Sequence, residues 1–324
     1  MSEDVLVLGG GGPTPVEGFD VPNGRLWVKR DDLIAPVYGG NKVRKLERLF
    51  AAARRAGKSR IMTIGAAGSH QVVATALYGK REGFQVDAVL VPQPASEHAR
   101  RNLRVALAHG LRPVLATSWG AAPAIAAAHL RGDIYFVPLG GSNALSSLGF
   151  VRAAHEVAAQ VAAGTMPEPD RVVVATGSGG TAAGLAVGFE ASGMRTRVVA
   201  VAISQPMRIV EMMTLRLAKK TAELAGLPRA GVVGAVKRIE IARDWLGRGY
   251  GHATPAGDAA QAAAARGGLV LDATYTAKAF ACALSLARND RETVLFWHTL
   301  STAPLDALVA ASPELPADVA RLFR

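Results

Sequence analysis

Apolar positions along this chain switch between two periods. Short runs such as Arg60-Ile61-Met62-Thr63-Ile64, Val86–Val91, Ile134–Val137, Arg171–Ala175, Val198–Ile203 and Thr293–Trp297 are nearly continuous, as in strands buried on both faces. Between them, apolar residues recur every three to four positions. Val43, Leu46 and then Leu49 or Phe50 mark one helical face, and Val73, Ala76 and Leu77 another. Further helices are expected near 97–109, 121–131, 150–163, 181–190, 207–226 and 256–266. Shorter strands are expected at Val5–Leu8, Leu26–Lys29, Pro113–Ala116 and Leu269–Leu271. Strand–helix alternation of this kind predicts an α/β protein built on parallel sheets with helices on both faces. Gly140-Gly141-Ser142-Asn143 and Gly149 read as a hinge between two series of elements. The expected division is a larger domain, 1–47 plus 150–324, and a smaller α/β domain, 48–149.

Composition narrows the class. Half of the 324 residues are hydrophobic, enough for a sizeable core. No run of 18 or more apolar residues occurs, so no membrane-spanning helix is expected. The acidic, polar start Met1-Ser2-Glu3-Asp4 does not read as a signal peptide. Cys282, the single cysteine, excludes an internal disulfide and a thiolate metal cluster and fits a reducing cytoplasm. The net charge is +11, mostly from arginine scattered along the chain, and aromatic residues are few. No nucleic-acid motif emerges, and the basicity is read as arginine-rich composition or as a match to anionic ligands. No His/Asp/Glu spacing suggests a metal site. His98, His109, His129 and His155 fall in helical patterns and read as surface or packing residues.

Two stretches carry chemistry. The first is Gly39-Gly40-Asn41-Lys42-Val43-Arg44-Lys45, a loop turning into a helix, with Asn41 as the expected N-cap. A lysine at a helix mouth is disfavoured by the helix dipole, and a lowered pKa would leave a nucleophilic amine. The second is Thr176-Gly177-Ser178-Gly179-Gly180-Thr181, between a strand and a small-residue helix. Glycines let the backbone come close, converging N–H groups and the helix N-terminus favour a phosphate, and Ser178 and Thr181 add hydroxyls. Gly177-x-Gly179-x-x-Ala182 also meets a loose dinucleotide fingerprint. The following strand ends without a carboxylate, at Val201-Ala202-Ile203-Ser204-Gln205, so a single phosphate group is the better match.

A nucleophilic lysine with a single-phosphate cradle suggests pyridoxal phosphate. Gly39 to Glu47 resembles the lysine motif of the 1-aminocyclopropane-1-carboxylate deaminase and D-cysteine desulfhydrase family, fold-type II enzymes of tryptophan-synthase β architecture. Lys29-Arg30-Asp31-Asp32, Gly68-Ser69-His70-Gln71, Thr176 to Gly184, Asp272 to Lys278, and His298-Thr299 with Ala303-Pro304 resemble further family segments, in order, over residues 25–305.

The resemblance implies two open, twisted, mainly parallel-sheet domains with the cofactor in the cleft between them. Lys42 would bond to the cofactor and move the substrate's α-proton. Ser69, with His70, Gln71 and the turn that carries them, would hold the substrate carboxylate. His70 stands where the family usually has Asn against the cofactor's phenolic oxygen. Thr176, Gly177, Ser178, Gly179, Gly180 and Thr181 would hold the phosphate, helped by Lys45. Tyr275 and Tyr250 would face the substrate. Thr276 would face the pyridine nitrogen, where the ring-opening deaminases carry Glu. A neutral hydroxyl makes a weaker electron sink, which suits β-elimination. The implied activity is a D-cysteine desulfhydrase-like lyase yielding a 2-oxo acid, ammonia and sulfide. A deaminase, a β-replacement synthase and, outside enzymes, a non-catalytic phosphate-ligand-binding protein are the alternatives. The expected partners are a small amino acid and, as is usual in the family, a second copy in a homodimer, with no nucleic acid and no membrane. Leu300-Ser301-Thr302 replaces the family's Gly-Gly and adds bulk near the ring.

Overall fold

The computed structural model describes residues 5–22, 24–288, 291–310 and 313–323. The chain opens with β1 (Val16–Phe19), β2 (Arg25–Lys29), α1 (Lys42–Arg55), β3 (Arg60–Ala66), α2 (His70–Arg81), β4 (Gln85–Val91) and α3 (Glu97–Ala108). It continues through β5 (Arg112–Leu115), α4 (Ala122–His129), β6 (Ile134–Val137), α5 (Ala144–Ala162), β7 (Arg171–Thr176) and α6 (Gly180–Ala191). Then follow β8 (Arg197–Ala202), α7 (Met207–Leu224), α8 (Arg229–Lys237), β9 (Ile239–Ala242), α9 (Pro255–Arg266), α10 (Thr276–Ala287) and β10 (Thr293–Trp297). Two compact units result. One comprises Met1–Leu8, Leu46–Gly141 and Ala303–Arg324; the other comprises Gly9–Lys45 and Ser142–Thr302.

The first unit holds a four-stranded sheet in the order β5-β4-β3-β6, parallel throughout. The second holds a six-stranded sheet, β1-β2-β10-β7-β8-β9, parallel except for β1, which runs antiparallel to β2. Side chains alternate across this second sheet. Val173, Val199, Val201 and Phe296 point to the face covered by α9 and α10, whereas Val172, Val174, Leu295 and Trp297 point to the face covered by α5 and α6. Both faces are dry, which is why these strands read as continuous apolar runs. On the second face α5 and α6 approach closely: a Cβ on Gly184 would lie 2.2 Å from the Ser147 carbonyl oxygen, and one on Gly188 2.6 Å from that of Val151. The small residues of α6 are there for this contact.

Three expectations fail locally. Val5–Leu8 is not a strand; Leu6 N–H and Leu8 N–H bond to the Glu47 carbonyl and carboxylate on α1, so this backbone is satisfied without a sheet. Leu269–Leu271 is irregular; Leu269 and Leu271 are buried in the core, and the Leu271 carbonyl accepts from Gln261 Nε2. Helix α5 begins at Ala144 and not near 150, because Asn143 and Ser146 form a capping box. Gly149 therefore lies inside α5, where its missing Cβ leaves room for the Arg44 carbonyl. Strands β1 and β9 and helix α8 had no counterpart in the sequence reading. No described helix is long and apolar enough to cross a membrane.

Candidate active site

In the second unit the start of α1 is fixed by its lead-in. The Gly40 N–H bonds to the Asp31 carbonyl at 2.8 Å and the Asn41 N–H to that of Thr299 at 3.2 Å. Gly40 has φ +82°, and a Cβ there would press on the Thr299 carbonyl oxygen at 2.5 Å. The Asn41 side chain is not placed as the expected N-cap acceptor; its Nδ2 donates to Thr181 Oγ1 at 3.1 Å and joins the lysine loop to the glycine-rich turn. Ser301 Oγ accepts from Gly39 N–H at 2.9 Å and Thr302 Oγ1 donates to Asp32 at 3.1 Å, so the segment 300–302 braces this loop with hydroxyls.

Beneath the loop lies a buried ionic cluster. Asp31 accepts from Arg44 Nε (2.9 Å) and Nη2 (2.8 Å), from Trp297 Nε1 (2.7 Å) and from Thr14 Oγ1 (2.8 Å). Glu156 clamps the other side of Arg44 at 2.7 and 2.9 Å, and buried Lys29 reaches Thr14 O and Gln160 Oε1. Asp31 is thus a structural hub and not an acid/base group.

Lys42 keeps some solvent exposure as a residue, yet protein atoms crowd its amine, and desolvation lowers its pKa to about 8. Lys45, one turn on, is buried; burial, and then the charge of Lys42, push its amine well below the ordinary lysine value. Its Nζ donates to Ser142 Oγ at 2.8 Å, which lies 2.8 Å from Ser178 Oγ. Strand β7 ends in Thr176, whose hydroxyl turns back to the Val174 carbonyl. Gly177, Ser178 and Gly179 make the turn, with Gly179 at φ +80°, and Gly180 and Thr181 open α6, a helix of 12 residues. An amine, two hydroxyls and the N–H groups of a helix start are the donor set a dianionic phosphate needs.

At the start of α10, Asp272 caps its own turn. Its carboxylate accepts from the N–H groups of Thr274, Tyr275 and Thr276. The Thr276 hydroxyl, fully buried, donates to Asp272 Oδ1 at 2.7 Å and accepts from Asp272 N–H at 2.8 Å. Its proton is committed within the turn. Tyr275 and Tyr250 meet hydroxyl to hydroxyl at 2.6 Å, with rings edge-on at 84°. Burial pushes the Tyr250 hydroxyl up to about 12, and burial plus the neighbouring Tyr250 raise Tyr275 well above its ordinary value, so both stay protonated. Buried Lys278 holds the Tyr250 loop by donating to the carbonyls of Leu246 and Gly249, 2.9 Å each.

The first unit carries Ser69, His70 and Gln71. Ser69 caps α2, accepting from Gln71 N–H at 3.2 Å, and buried Gln71 donates to Thr75 Oγ1 at 2.8 Å. Gly68 is clasped by Gln93 Oε1 on its N–H (2.9 Å) and by Asn102 Nδ2 on its carbonyl (3.0 Å). His70 Nε2 lies 3.2 Å from His98 Nε2. Sequence reasoning set His98 aside as a helical surface residue and did not single out Asn102 or Ser142. Pairings across 28, 34 and 36 residues leave no local signal. Among the described residues no cluster of three or more His, Cys, Asp or Glu could hold a metal ion.

The family model for pyridoxal-phosphate dependent enzymes matches residues 7–299. The chain is 36% identical over 300 residues to nocardicin C-9' epimerase of Nocardia uniformis subsp. tsuyamanensis, covering 89% of each. It is 33% identical over 311 residues to D-cysteine desulfhydrase of Salmonella paratyphi A, covering 89% of this chain and 92% of that one. A crystal structure of an ACC deaminase homologue superposes with a TM-score of 0.78 at 29% identity, covering 95% of this chain and 96% of that one. The desolvated amine of Lys42 and the donor set around Ser142 and Ser178 fit an aldehyde that carries a phosphate, and the chain belongs to the pyridoxal-phosphate dependent enzymes.

Proposed function

We propose that this enzyme is a lyase that eliminates the β-substituent of a small amino acid in the manner of D-cysteine desulfhydrase, releasing a 2-oxo acid, ammonia and, from cysteine, sulfide. The observation that carries this reading is the desolvated Lys42 amine at the start of α1, with its pKa lowered to about 8. Lys42 would hold the cofactor through its aldehyde and would carry the α-proton. The bound cofactor supplies the electron sink for the substrate carbon. Gly177, Ser178, Gly179, Gly180 and Thr181, with Ser142 and Lys45, hold its phosphate. Ser69 and the first N–H groups of α2 take the substrate carboxylate. Tyr275, kept protonated by burial and by Tyr250, is the donor for a departing β-substituent. Thr276, a neutral hydroxyl, offers the cofactor ring no charge, and its proton already bonds Asp272. A buried carboxylate there would favour ring opening instead. Epimerisation at Cα is the second reading, favoured by the 36% identity to nocardicin C-9' epimerase.

The test is the absorption spectrum of the purified protein beside that of Lys42→Ala, with D-cysteine added to each. A visible band in wild type, lost or shifted in the variant, with sulfide and pyruvate formed from D-cysteine, supports the lyase. A band with racemised but intact amino acid moves the epimerase reading forward, and the absence of any band with added pyridoxal phosphate removes Lys42 from its role.

Uptake of the cofactor should report the amine directly. A lowered lysine pKa leaves more neutral amine at a given pH. The rate at which the visible band grows in cofactor-free protein should rise about tenfold per pH unit below 8 and level off above it. An ordinary lysine would keep rising to about pH 10.

Gly179→Ala should weaken cofactor retention. Its φ of +80° strains any L-residue, and the new Cβ would sit 2.5 Å from Thr214 Oγ1 and 2.7 Å from Thr214 Cα. We expect about tenfold weaker binding in equilibrium dialysis, against a strain of about 1–2 kcal/mol. Gly193→Ala, at φ +67° with nothing within 4 Å, is the control and should leave binding unchanged.

A further inference from the structure

The turn that leads into Ser69 is held by a side chain from another part of the first unit. Pro92-Gln93-Pro94 follows β4; the two prolines have no N–H, and Pro94 keeps Gln93 extended. The Gln93 N–H is thus the backbone donor of this tripeptide. It bonds to the Leu322 carbonyl at 2.9 Å, where Gln93 and Phe323 form an isolated parallel bridge. The Gln93 side chain then reaches Gly68, whose N–H donates to Oε1 at 2.9 Å. Gly68 has no side chain to anchor it, so its peptide groups do so: Gln93 takes its N–H, and Asn102 Nδ2 holds its carbonyl at 3.0 Å. Packing closes the site, since a Cβ on Gly68 would meet Ala99 Cβ at 2.4 Å.

The segment that meets Gln93 is itself docked. The short helix Ala317–Ala320 leads into it, and Val319, Leu322 and Phe323 are buried. The Arg100 guanidinium lies 4.9 Å from the centre of the Phe323 ring, a cation–π contact. Arg100, Ala99 and Asn102 all stand on α3, so one helix holds both this segment and Gly68.

We infer that Gln93 is a positioning residue for substrate binding, and that Val319–Phe323 is the strap that sets it. The inference rests on the proposed seating of the substrate carboxylate at Ser69 and the first N–H groups of α2. Those donors point where the backbone at Gly68 and Ser69 directs them, and a hydrogen bond weakens steeply once its donor turns away. The carboxylate keeps its charge through the reaction. A loosened turn therefore weakens ground state and transition state alike, which raises KM and spares kcat.

The test compares Gln93→Met, which keeps the length and loses the acceptor, with Gln93→Glu, which keeps an oxygen for the Gly68 N–H. Phe323→Ala loosens the strap from Arg100 and leaves Gln93 in place. Turnover of D-cysteine by the holoenzyme is followed by sulfide release, and hydrogen–deuterium exchange is read on peptides covering 67–72 and on peptides of the second unit. Gln93→Met should raise KM about tenfold, with kcat within about threefold of wild type. Phe323→Ala should raise KM in the same direction, and Gln93→Glu should stay near wild type. Exchange over 67–72 should quicken about tenfold in Gln93→Met and in Phe323→Ala, with the second unit unchanged. Faster exchange at the turn with a wild-type KM makes the strap merely structural and overturns the inference. Wild-type exchange at the turn overturns it, as does faster exchange throughout both units with no rescue by Gln93→Glu. Failure of the lyase reading looks different: wild type then forms no sulfide, and the D-alanine concentration that half-changes the visible band replaces KM in the same comparison.

Discussion

Replacing Lys42 with alanine is expected to lower turnover of any amino-acid substrate by about 10⁴-fold or more while leaving the protein folded. Lys42 is proposed for two jobs that no neighbouring side chain duplicates: bonding to the cofactor and moving the α-proton. Lys45 does not stand in for it, because its Nζ is engaged with Ser142 Oγ in the turn that also holds Ser178. The phosphate donors remain in the variant, so the cofactor should still be retained non-covalently, with its absorption shifted. Turnover is measured with D-cysteine by sulfide release, and folding by circular dichroism. A small primary amine added to the variant should restore part of the rate, as a soluble proton carrier. A variant within tenfold of wild type would remove Lys42 from the reaction.

Asp31→Ala should cost the fold about 3–5 kcal/mol in urea unfolding, far more than a surface carboxylate would. Asp31 is fully buried and receives Arg44, Trp297 and Thr14. Its loss leaves the Arg44 guanidinium buried with Glu156 as the remaining clamp, and leaves the Trp297 indole N–H without its acceptor. Asp31→Asn should cost less, since the amide oxygen still accepts one bond. Burial works to raise the Asp31 carboxyl, and the Arg44 guanidinium beside it outweighs that and holds it below the ordinary value of 3.8. A depressed folded-state pKa means stability that is fully present above about pH 4 and lost as pH falls through the folded value. The gap between wild type and Asp31→Asn should therefore stay constant from pH 7 to 5 and narrow only in stronger acid. Because the Asp31 carbonyl also anchors the Gly40 N–H, loosened cofactor binding should accompany the loss.

The two stretches that carried the sequence reading are local in character. Gly39 to Lys45 and Thr176 to Thr181 are loop-to-helix turns whose glycines, hydroxyls and lysines lie next to one another in the chain. The chemistry proposed for them was therefore legible before any fold was known. The sheet was legible for a related reason. Strands buried on both faces, such as β7 and β10, must be apolar at every position, and that continuous run stands out against the helical period around it. Where burial is one-sided or incomplete the signal fails: β1 and β9 are edge strands of four residues with no fully buried position, and neither was read from the chain. The apolar segments at Val5–Leu8 and Leu269–Leu271 were misread because apolar runs report burial, not sheet pairing.

The sequence by itself determined the α/β alternation and, through ordered motifs, the cofactor, and it marked Lys42 and the Thr176–Thr181 turn as the candidates to hold it. Only the tertiary structure decided what each polar group does with its proton. It committed the Thr276 hydroxyl to Asp272, turned the Asn41 amide toward Thr181, joined Lys45 to Ser178 through Ser142, and set His98 against His70. The physical reason is range. Backbone propensity and burial are written in neighbouring residues, whereas hydrogen-bond polarity and pKa depend on atoms a few ångströms away that the chain supplies from tens or hundreds of residues off.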